Sequence, residues 1–511
     1  MTLLANLGIA ALAILGAPLF LIISAAALIG FWASGRPPAD VTGEIGKLVQ
    51  MDTLITIPLF TFAGYMLAES GAPRRLVAVT RALFGWIPGG MAVVTLLACA
   101  FFTTFTGASG ITIVALGGLL LPMLLQQKYP RNFSLGLVTT SGSRGLIFPP
   151  SLPVIIYGYV AAVDITRLYI AGIVPGLIGL AVIAFWCVRT GLVANVPRTP
   201  FDPRGAARAL WKALPEVLLP VWLMALILTA VLKVPEAAAM TALYVLVVEV
   251  LIYRDIHPFK DLPRITKESM VLCGAILVII GASLGLTNYL VTQEVPQAIV
   301  KVIRSTIESK WTFLLALNVF LLIVGCMMDI FSAIVIVVPL ITPLAATYGV
   351  HPIHLAIIFL VNLEVGFSTP PVGMNLFIAS FRFRQPIIRL YRAALPFVLL
   401  ALGALIAITY IEPLSTFTVP KGEATVKGGM GGPAAPAAKK AGAAEPKKPL
   451  LGKDGKPLMD GICDKKLKGD PDCEDLDDDL DIDLDDDKKD DKKAPGEKGD
   501  KTDEKQPDKE E

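Results

Sequence analysis

The chain has little charge and few histidines for its length. Charged residues make up 17% of the 511 residues, and there are three histidines, whereas soluble domains carry about 25% charged residues. Apolar runs of about 18 or more residues, long enough to span a bilayer, recur through residues 1–420. These features exclude a soluble enzyme, and the sequence contains no nucleophile–base pair, metal-ligand cluster or nucleotide-binding loop. Nucleic acid is not an expected partner, because basic residues occur in short loops between apolar runs.

The cysteines do not form a disulfide framework. Four lie singly in apolar runs, where a thiol packs as a small hydrophobic side chain: Cys99, Cys187, Cys273 and Cys326. Cys463 and Cys473 lie ten residues apart near the end of the chain, and two cysteines alone do not indicate a framework. Whether these two form a disulfide stays open.

Charge separates the chain into two parts. Residues 1–420 carry a net charge of +9, whereas residues 421–511 carry 19 lysines against 26 acidic residues. The second part is rich in Gly, Ala, Pro, Lys and Asp and cannot bury enough apolar surface to fold alone. It also lacks the glycine and terminal glutamate of an EF-hand calcium loop. We therefore expect a membrane-embedded body followed by a disordered Lys/Asp-rich tail at 416–511.

The apolar runs predict an all-α polytopic membrane protein. The first run, at about 3–33, lacks a basic start and a cleavage site, so we interpret it as a retained helix rather than a signal peptide. Two short runs, 111–125 and 331–347, directly follow longer ones and are better explained as arms of two re-entrant hairpins. The remaining runs give about 11 transmembrane helices.

Three loops carry the basic residues: 189–212, 253–267 and 382–392. The positive-inside bias places such loops in the cytoplasm. The first two loops are separated by an even number of predicted crossings, so both can lie on the cytoplasmic face. The count places the third on the face opposite the second, so one crossing or one application of the rule is wrong.

The sequence of the body repeats. Pro122, Pro149 and Pro150 recur 221 residues later, at Pro343, Pro370 and Pro371. This predicts two structural repeats, 1–190 and 270–415, joined by basic loops and connecting helices at 191–269. Each repeat has a hairpin and a helix broken by Pro-Pro. Because freed backbone groups are costly in hydrocarbon unless protein, ions or substrate satisfy them, paired broken helices indicate a secondary transporter.

Polar residues occur beside both breaks. Arg144 is the only charge between Arg131 and Asp164, and a charge in mid-membrane is a functional candidate. It either binds a substrate carboxylate through its planar fork or pairs internally with Asp329 or Glu364. Asp329 either caps the second hairpin helix or ligates a cation.

Five sequence strings occur in order along the chain: Phe-Thr-Gly-Ala-Ser-Gly (105–110), Ile-Phe-Pro-Pro-Ser-Leu-Pro-Val-Ile-Ile-Tyr-Gly (147–158), Ala-Gly-Ile-Val-Pro-Gly (171–176), Val-Pro-Glu-Ala-Ala-Ala (234–239) and Val-Asn-Leu-Glu-Val-Gly-Phe-Ser-Thr-Pro-Pro-Val-Gly-Met-Asn-Leu-Phe (361–377). These strings resemble the large membrane subunit of tripartite ATP-independent periplasmic (TRAP) transporters. The resemblance covers about 1–415, in the same order throughout. Where relatives usually read Gly-Thr-Leu-Gly, this chain has Gly142-Ser-Arg144-Gly145. That departure puts the usual sodium stoichiometry in doubt.

The resemblance implies a sodium-coupled importer of organic acids in the bacterial inner membrane, working by an elevator motion with inverted repeats. A periplasmic solute-binding protein and a small four-helix membrane subunit, expected as a separate chain, would be its partners, besides lipid. The candidate substrate contacts, taken from the polar residues at the hairpins and breaks, are Ser109, Ser143, Arg144, Ser151 and Asn375. The implied sodium contacts are Gly107, Ser109, Ser141, Asp329, Ser332, Thr369 and Gly373, and the implied gating residues are the four prolines of the breaks. The resemblance implies Na+ as the coupling ion, and no bound cofactor is expected.

Two alternatives stay open. The chain could be a stand-alone sodium/anion symporter of related architecture that needs no binding protein. It could also be a membrane scaffold that acts through its acidic tail.

Overall fold

The computed structural model describes residues 52–196, 200–229 and 231–419, together with 19–35 and a few isolated positions before residue 52. The predicted tail, with Cys463 and Cys473, lies outside the described residues from 420 onward. The described residues form helices and no β-strand. The helices are α1 (Leu19–Ala33), α2 (Thr56–Glu69), α3 (Ala72–Phe84), α4 (Gly90–Thr106), α5 (Ser109–Ala115), α6 (Gly117–Gln126), α7 (Arg131–Ser141), α8 (Leu152–Val160), α9 (Ile165–Val193), α10 (Pro203–Lys212), α11 (Leu214–Leu228), α12 (Val234–Leu246), α13 (Asp261–Thr292), α14 (Val295–Thr306), α15 (Lys310–Met327), α16 (Ile330–Thr347), α17 (Pro352–Gly366), α18 (Met374–Phe383), α19 (Ile387–Tyr410) and α20 (Pro413–Thr416). A π-helical turn, Val247–Ile252, extends α12.

The helices have the length and composition of a multi-pass membrane protein. In the described part of the chain, six are long and apolar enough to cross a bilayer, or up to eight if each bent pair is counted as one span. The all-α polytopic prediction is therefore confirmed. The figure of about 11 crossings stays a prediction.

The two repeats have matching helix boundaries. The ends of α4 and α15, the starts of α5 and α16, and the ends of α6 and α16 are each 221 residues apart. The packing matches too: α1 contacts α13 and α12 contacts α2, α5 contacts α18 and α16 contacts α8, and α7 contacts α19 and α17 contacts α9. In each of these three pairs, a helix of the first repeat contacts a helix of the second, and the equivalents of the two helices make the same contact with the repeats exchanged. By this pattern the second repeat begins at α12, which the sequence analysis placed among the connecting helices.

The repeats are inverted with respect to each other. The equivalent helices α2 and α13 pack together. Glu69, the last residue of α2, forms a 2.7 Å ion pair with Arg264, in the first turn of α13. Because the end of one helix meets the start of its equivalent, the two run antiparallel. The repeats are thus related by an axis in the membrane plane. The resemblance implied this inversion, whereas the number of crossings counted from the sequence did not reproduce it.

Lys310, at the start of α15, shows that α15 and α16 form a hairpin. Its Nζ donates to the carbonyl of Gly349 at 3.3 Å, just after α16, and lies 3.0 Å from the carboxylate of Glu412, just after α19. Tyr348 also donates to the carbonyl of Ile307 at 2.7 Å. The two arms of this hairpin therefore begin and end on one face of the membrane. Residues 311–328 were counted as a separate crossing, and treating them as a hairpin arm puts loop 382–392 on the same face as loop 253–267.

Arg75 attaches α3 to α11 and to the end of α12. Its guanidinium pairs with Glu216, with Glu249 at 2.9 Å, and with Asp255, and it lies 3.8 Å from the centre of the Tyr253 ring. The side chains of Glu216 and Glu249 are buried. Since a buried carboxylate is costly without a cation, this cluster holds α3 in place.

Candidate functional site

Both predicted helix breaks are present. Residues 142–151 separate α7 from α8, and residues 367–373 separate α17 from α18. Each break holds its proline pair, and each pair contains a cis peptide bond: Pro149 with Pro150, and Pro370 with Pro371. Proline has no N–H and clashes with the preceding helical turn, so each pair prevents the helix from continuing.

Each break lies against a hairpin arm with almost no space between backbones. A Cβ placed on Gly145 would lie 2.1 Å from the carbonyl oxygen of Ala100, and one on Gly366 would lie 2.8 Å from the Cα of Gly325. Gly145 and Gly366 are equivalents in the two repeats. Any larger residue would push the broken helix away from the hairpin, which explains glycine at both positions.

Polar atoms cluster at the first hairpin tip. The hydroxyl oxygen of Thr103, on α4, lies 2.7 Å from that of Thr112, on α5, and 2.8 Å from the carbonyl oxygen of Gly142 in the first break. Thr103 and Thr112 are nine residues apart, so the chain reverses between them, at Gly107, which has a φ of +61°. The predicted residue Ser109 is buried directly after this turn.

At the second tip, Asp329 caps α16. Its carboxylate accepts the backbone N–H groups of Phe331 and Ser332 at 3.0 Å and also contacts the Ser332 hydroxyl. The capping alternative is therefore present, and cation ligation stays a prediction. Gly373 has a φ of +56° and donates its N–H to the carbonyl of Cys326, at the end of α15, at 2.9 Å.

Arg144 pairs with Glu364 rather than with Asp329. Its Nη1 lies 2.8 Å from Glu364 Oε1, and both side chains are at most 6% exposed. Ser143 donates its hydroxyl to the main-chain carbonyl of Glu364 at 3.2 Å. The pair thus links the two broken helices. A substrate contact by Arg144 stays a prediction, because its charge is already balanced inside the protein.

A cavity of about 750 Å³ lies between the two hairpin tips. Residues 107–111 and 329–331 form the tips that line it, and α2, α13 and α18 complete the wall. Its other lining residues are Tyr65, Ala68, Glu69, Val114, Ala115, Leu146, Leu272, Phe367, Met374, Ile378 and Arg382. The inverted repeats therefore bring both tips to one place.

The predicted site residues fall into three groups. Gly107, Ser109 and Asp329 line the cavity. Seven others are buried or half-buried in and beside the breaks: Ser141, Ser143, Arg144, Ser151, Thr369, Gly373 and Asn375. Ser332 is buried at the second tip, on α16. Thr369, in the second break, donates its hydroxyl to the carbonyl of Val365, on α17, at 2.9 Å.

Several buried polar atoms at the breaks have no hydrogen-bond partner within the described chain. They are the hydroxyls of Ser141, Ser151 and Ser368, both side-chain polar atoms of Asn375, and Nε of Arg144. Buried polar groups in proteins are almost always hydrogen-bonded, to protein or to water. These atoms are therefore available to an ion, a solute or water.

Sequence reasoning missed Arg382 as a cavity residue, because it lies in a stretch that looks like a basic cytoplasmic loop. Arg382 is four residues after Ile378 and eight after Met374, and all three line the cavity. Residues at this spacing share one helix face. The helical spacing of Met374, Ile378 and Arg382 was therefore the sequence signal that could have placed Arg382 at the cavity.

Comparison with known proteins agrees with this architecture. The family model described as "Tripartite ATP-independent periplasmic transporter, DctM component" matches residues 7–414. The C4-dicarboxylate TRAP transporter large permease protein DctM of Pseudomonas aeruginosa is 36% identical over 369 residues, covering 71% of this chain and 85% of that protein. The isethionate TRAP transporter permease protein DctMQ of Oleidesulfovibrio alaskensis is 32% identical over 411 residues, covering 79% of this chain and 64% of that protein.

The fold also resembles a solved transporter. The YdaH transporter of Alcanivorax borkumensis superimposes with a TM-score of 0.55 at 15% identity, over 74% of this chain and 89% of that one. The likeness concerns the fold alone. The family match and the relatives identify a multi-pass protein of the bacterial inner membrane and a transporter component rather than an enzyme. The chain belongs to the DctM-component family of TRAP transporters.

Proposed function

We propose that this chain is the membrane subunit of a sodium-coupled, binding-protein-dependent importer of organic acids that works by an elevator motion. The observation that carries the proposal is the meeting of both hairpin tips at one cavity beside the two helix breaks. In transporters with inverted repeats, broken helices of this kind hold the substrate and the coupling ion near mid-membrane.

The first break and hairpin supply oxygen atoms for one sodium site. Thr103 Oγ1, Thr112 Oγ1 and the Gly142 carbonyl lie together, and the carbonyl oxygen of Ser109 lies 3.2 Å from where a Gly142 Cβ would be. The hydroxyl of Ser141 is buried without a partner. Hard cations take oxygen ligands of this kind, which supports sodium here.

The second break supplies a comparable set with a charge added. The carbonyl oxygens of Phe367 and Thr369 lie 3.0 and 2.8 Å from where a Gly373 Cβ would be, so the absence of a side chain at this glycine leaves room for both carbonyls. The carboxylate of Asp329 lines the adjoining cavity. In this proposal, these groups form the second sodium site.

The solute carries an anionic group. The two relatives are named for C4-dicarboxylates and for isethionate, which are carboxylates and a sulfonate. The cavity combines apolar side chains such as Phe331, Phe367 and Ile378 with polar tips. A site of this composition suits a small organic acid, with a carbon body against the apolar wall and a charged end near polar groups.

The cavity wall supports an elevator motion. One side comes from α2 and α13, which pack together as equivalents, and the other from the hairpin tips and α18. We assign α2 and α13 to a scaffold and the hairpins with the broken helices to the moving body. The amphipathic helices α3 and α14 connect the two in each repeat, and Arg75 attaches α3 to α11 and α12.

The scaffold has exposed apolar surface for lipid and for a small membrane subunit. Side chains on α11 and α13 are large, apolar and about half exposed or more: Leu218, Val221, Val271 and Val278. In a bilayer such faces contact acyl chains or other helices. They are the surface on which this proposal places the partner subunit.

The test is uptake by the reconstituted complex. The chain and its small subunit are placed in proteoliposomes, and uptake of labelled succinate, isethionate and a panel of other organic acids is measured. Each acid is tested with and without the cognate solute-binding protein and an inward sodium gradient. Uptake of one acid that requires both additions supports the proposal.

Two other results would change the account. Sodium-driven uptake without any binding protein would indicate a stand-alone sodium/anion symporter. No uptake of any acid by an intact complex would overturn the sodium-coupled proposal. It would favour the alternative of a membrane scaffold that acts through its acidic tail.

A further inference from the structure

Three charged residues line the cavity: Glu69, Asp329 and Arg382. Glu69 is balanced by Arg264 at 2.7 Å. The Asp329 carboxylate accepts two backbone N–H groups of α16. Arg382 forms no ion pair with any carboxylate of the described chain. Among the described residues it is the one cation that lines the cavity, and it is available to an anion.

The guanidinium of Arg382 is held in place by the first hairpin. Its Nε donates to the carbonyl oxygen of Val114, on α5, at 3.0 Å. The helix axis bends by 51° just beyond, between α5 and α6. A Cβ placed on Gly118 would lie 2.2 Å from Arg382 Nη2, so the guanidinium rests against a glycine. With Nε engaged, the two terminal nitrogens keep their N–H groups for a ligand.

The position of Arg382 suits a short organic acid. Met374 and Ile378 lie one and two turns earlier on the same face of α18 and line the cavity with it. They give this face of α18 an apolar surface beside the exposed guanidinium. The carbon body of a solute fits against this apolar face while its charged end reaches the guanidinium.

We infer that Arg382 binds the anionic group of the transported solute, a carboxylate or sulfonate, with its terminal N–H groups. The inference rests on the proposed function and assigns the cavity's anion contact to a residue outside the breaks. A planar guanidinium matches two oxygens of such a group at once, which an ammonium cannot do. Arg144, the cation expected from the sequence to do this, is neutralised by Glu364.

The experiment compares three variants in the reconstituted complex: Arg382→Gln, Arg382→Lys and Arg384→Gln. Arg384 lies two residues further on and is exposed, as Arg382 is, but it is not among the residues that line the cavity. Equilibrium binding and uptake are measured for labelled succinate and isethionate and for whichever other acid the wild type transports. Melting temperature and gel filtration show that each variant is folded.

A hydrogen bond to a charged group is worth about 1.5–3 kcal/mol, which corresponds to about a 10- to 100-fold change in affinity. We expect Arg382→Gln to raise the dissociation constant and the half-saturating concentration by this factor. The dissociation constant of Arg382→Lys should lie between those of the wild type and Arg382→Gln. That of Arg384→Gln should equal the wild-type value. Gly118→Ala is a second route, because its methyl group displaces the guanidinium without removing the charge. It should weaken binding without lowering the melting temperature.

The possible outcomes test the role of Arg382 separately from the importer function on which it rests. If the folded Arg382→Gln variant binds and transports the acid like the wild type, the role of Arg382 is wrong and the importer proposal stands. If the wild-type complex takes up no acid at all, the importer proposal fails and the inference fails with it.

Discussion

Ser143 and Glu364 occupy equivalent positions in the two repeats and contact each other, with the Ser143 hydroxyl 3.2 Å from the Glu364 main-chain carbonyl. Two equivalent residues can meet only where the axis that relates the repeats passes between them. Arg144 lies at this axis and pairs with the Glu364 side chain. Its own equivalent is Val365, so the charge pair occurs once and breaks the symmetry at the centre of the molecule.

The Arg144–Glu364 pair should behave as a coupled unit. Arg144→Leu leaves a buried carboxylate without its cation, a change that costs about 3–5 kcal/mol. Glu364→Gln leaves the opposite charge unpaired. The double variant removes both charges and should recover much of the lost stability. Melting temperatures of the two single variants and the double variant form the double-mutant cycle that measures the coupling. Additive losses in the double variant would show that the pair does not act as a unit.

Gly145 should not tolerate a methyl group. Gly145→Ala places a Cβ 2.1 Å from the Ala100 carbonyl and forces the first broken helix away from α4. Overpacking of this kind costs about 1–3 kcal/mol, and uptake should be largely lost. Gly403→Ala is the matched control, since nothing lies within 4 Å of its added Cβ. Similar uptake by the two variants would mean that the contact between break and hairpin is not needed.

Asp329 should have two separable roles. Asp329→Asn keeps an oxygen that caps α16, because Asn is as good an N-cap as Asp, but removes the negative charge. We expect its melting temperature to stay unchanged and the sodium concentration for half-maximal uptake to rise several-fold. Asp329→Ala should also lose about 1 kcal/mol of stability with the cap. A normal sodium dependence of Asp329→Asn would show that Asp329 only caps the helix.

Arg75 should be essential for stability although it lies outside the cavity. Arg75→Gln leaves the buried carboxylates of Glu216 and Glu249 without a cation, at a cost of about 3–5 kcal/mol. The stability of Arg75→Lys should lie between those of the wild type and Arg75→Gln, because one ammonium cannot contact three carboxylates in fixed directions. The control is the exposed neighbour variant Arg74→Gln, which should stay within about 0.5 kcal/mol of the wild type. A wild-type melting temperature for Arg75→Gln would contradict the role of the cluster.

The repeat and its breaks could be predicted because proline acts locally. The adjacent Pro149 and Pro150 cannot both lie in the interior of a regular helix, and their recurrence 221 residues later fixes the equivalence of the two halves. The helix ends of the structure keep that spacing. The glycine and hydroxyl residues of the first tip were also recognised, because small polar side chains in an apolar run are unusual.

The partner of Arg144 could not be chosen from the sequence. Asp329 and Glu364 are both isolated carboxylates in apolar surroundings, and only the packing of α7 against the second repeat decides between them. The two hairpins were predicted, but their first arms were counted as separate crossings for a related reason. A first arm such as α15 has the length and hydropathy of a crossing, and only the contacts of Lys310 with Gly349 and Glu412 show that the chain returns to the same face.

The central claim is that the solute binds between the two hairpin tips, and a cryo-electron microscopy map tests it most directly. The complex with its small subunit would be prepared with saturating sodium and the acid that it transports. The account predicts solute density in the cavity lined by residues 107–111 and 329–331, with the anionic group at the Arg382 guanidinium. Solute density outside this cavity, or against an Arg144 released from Glu364, would contradict it.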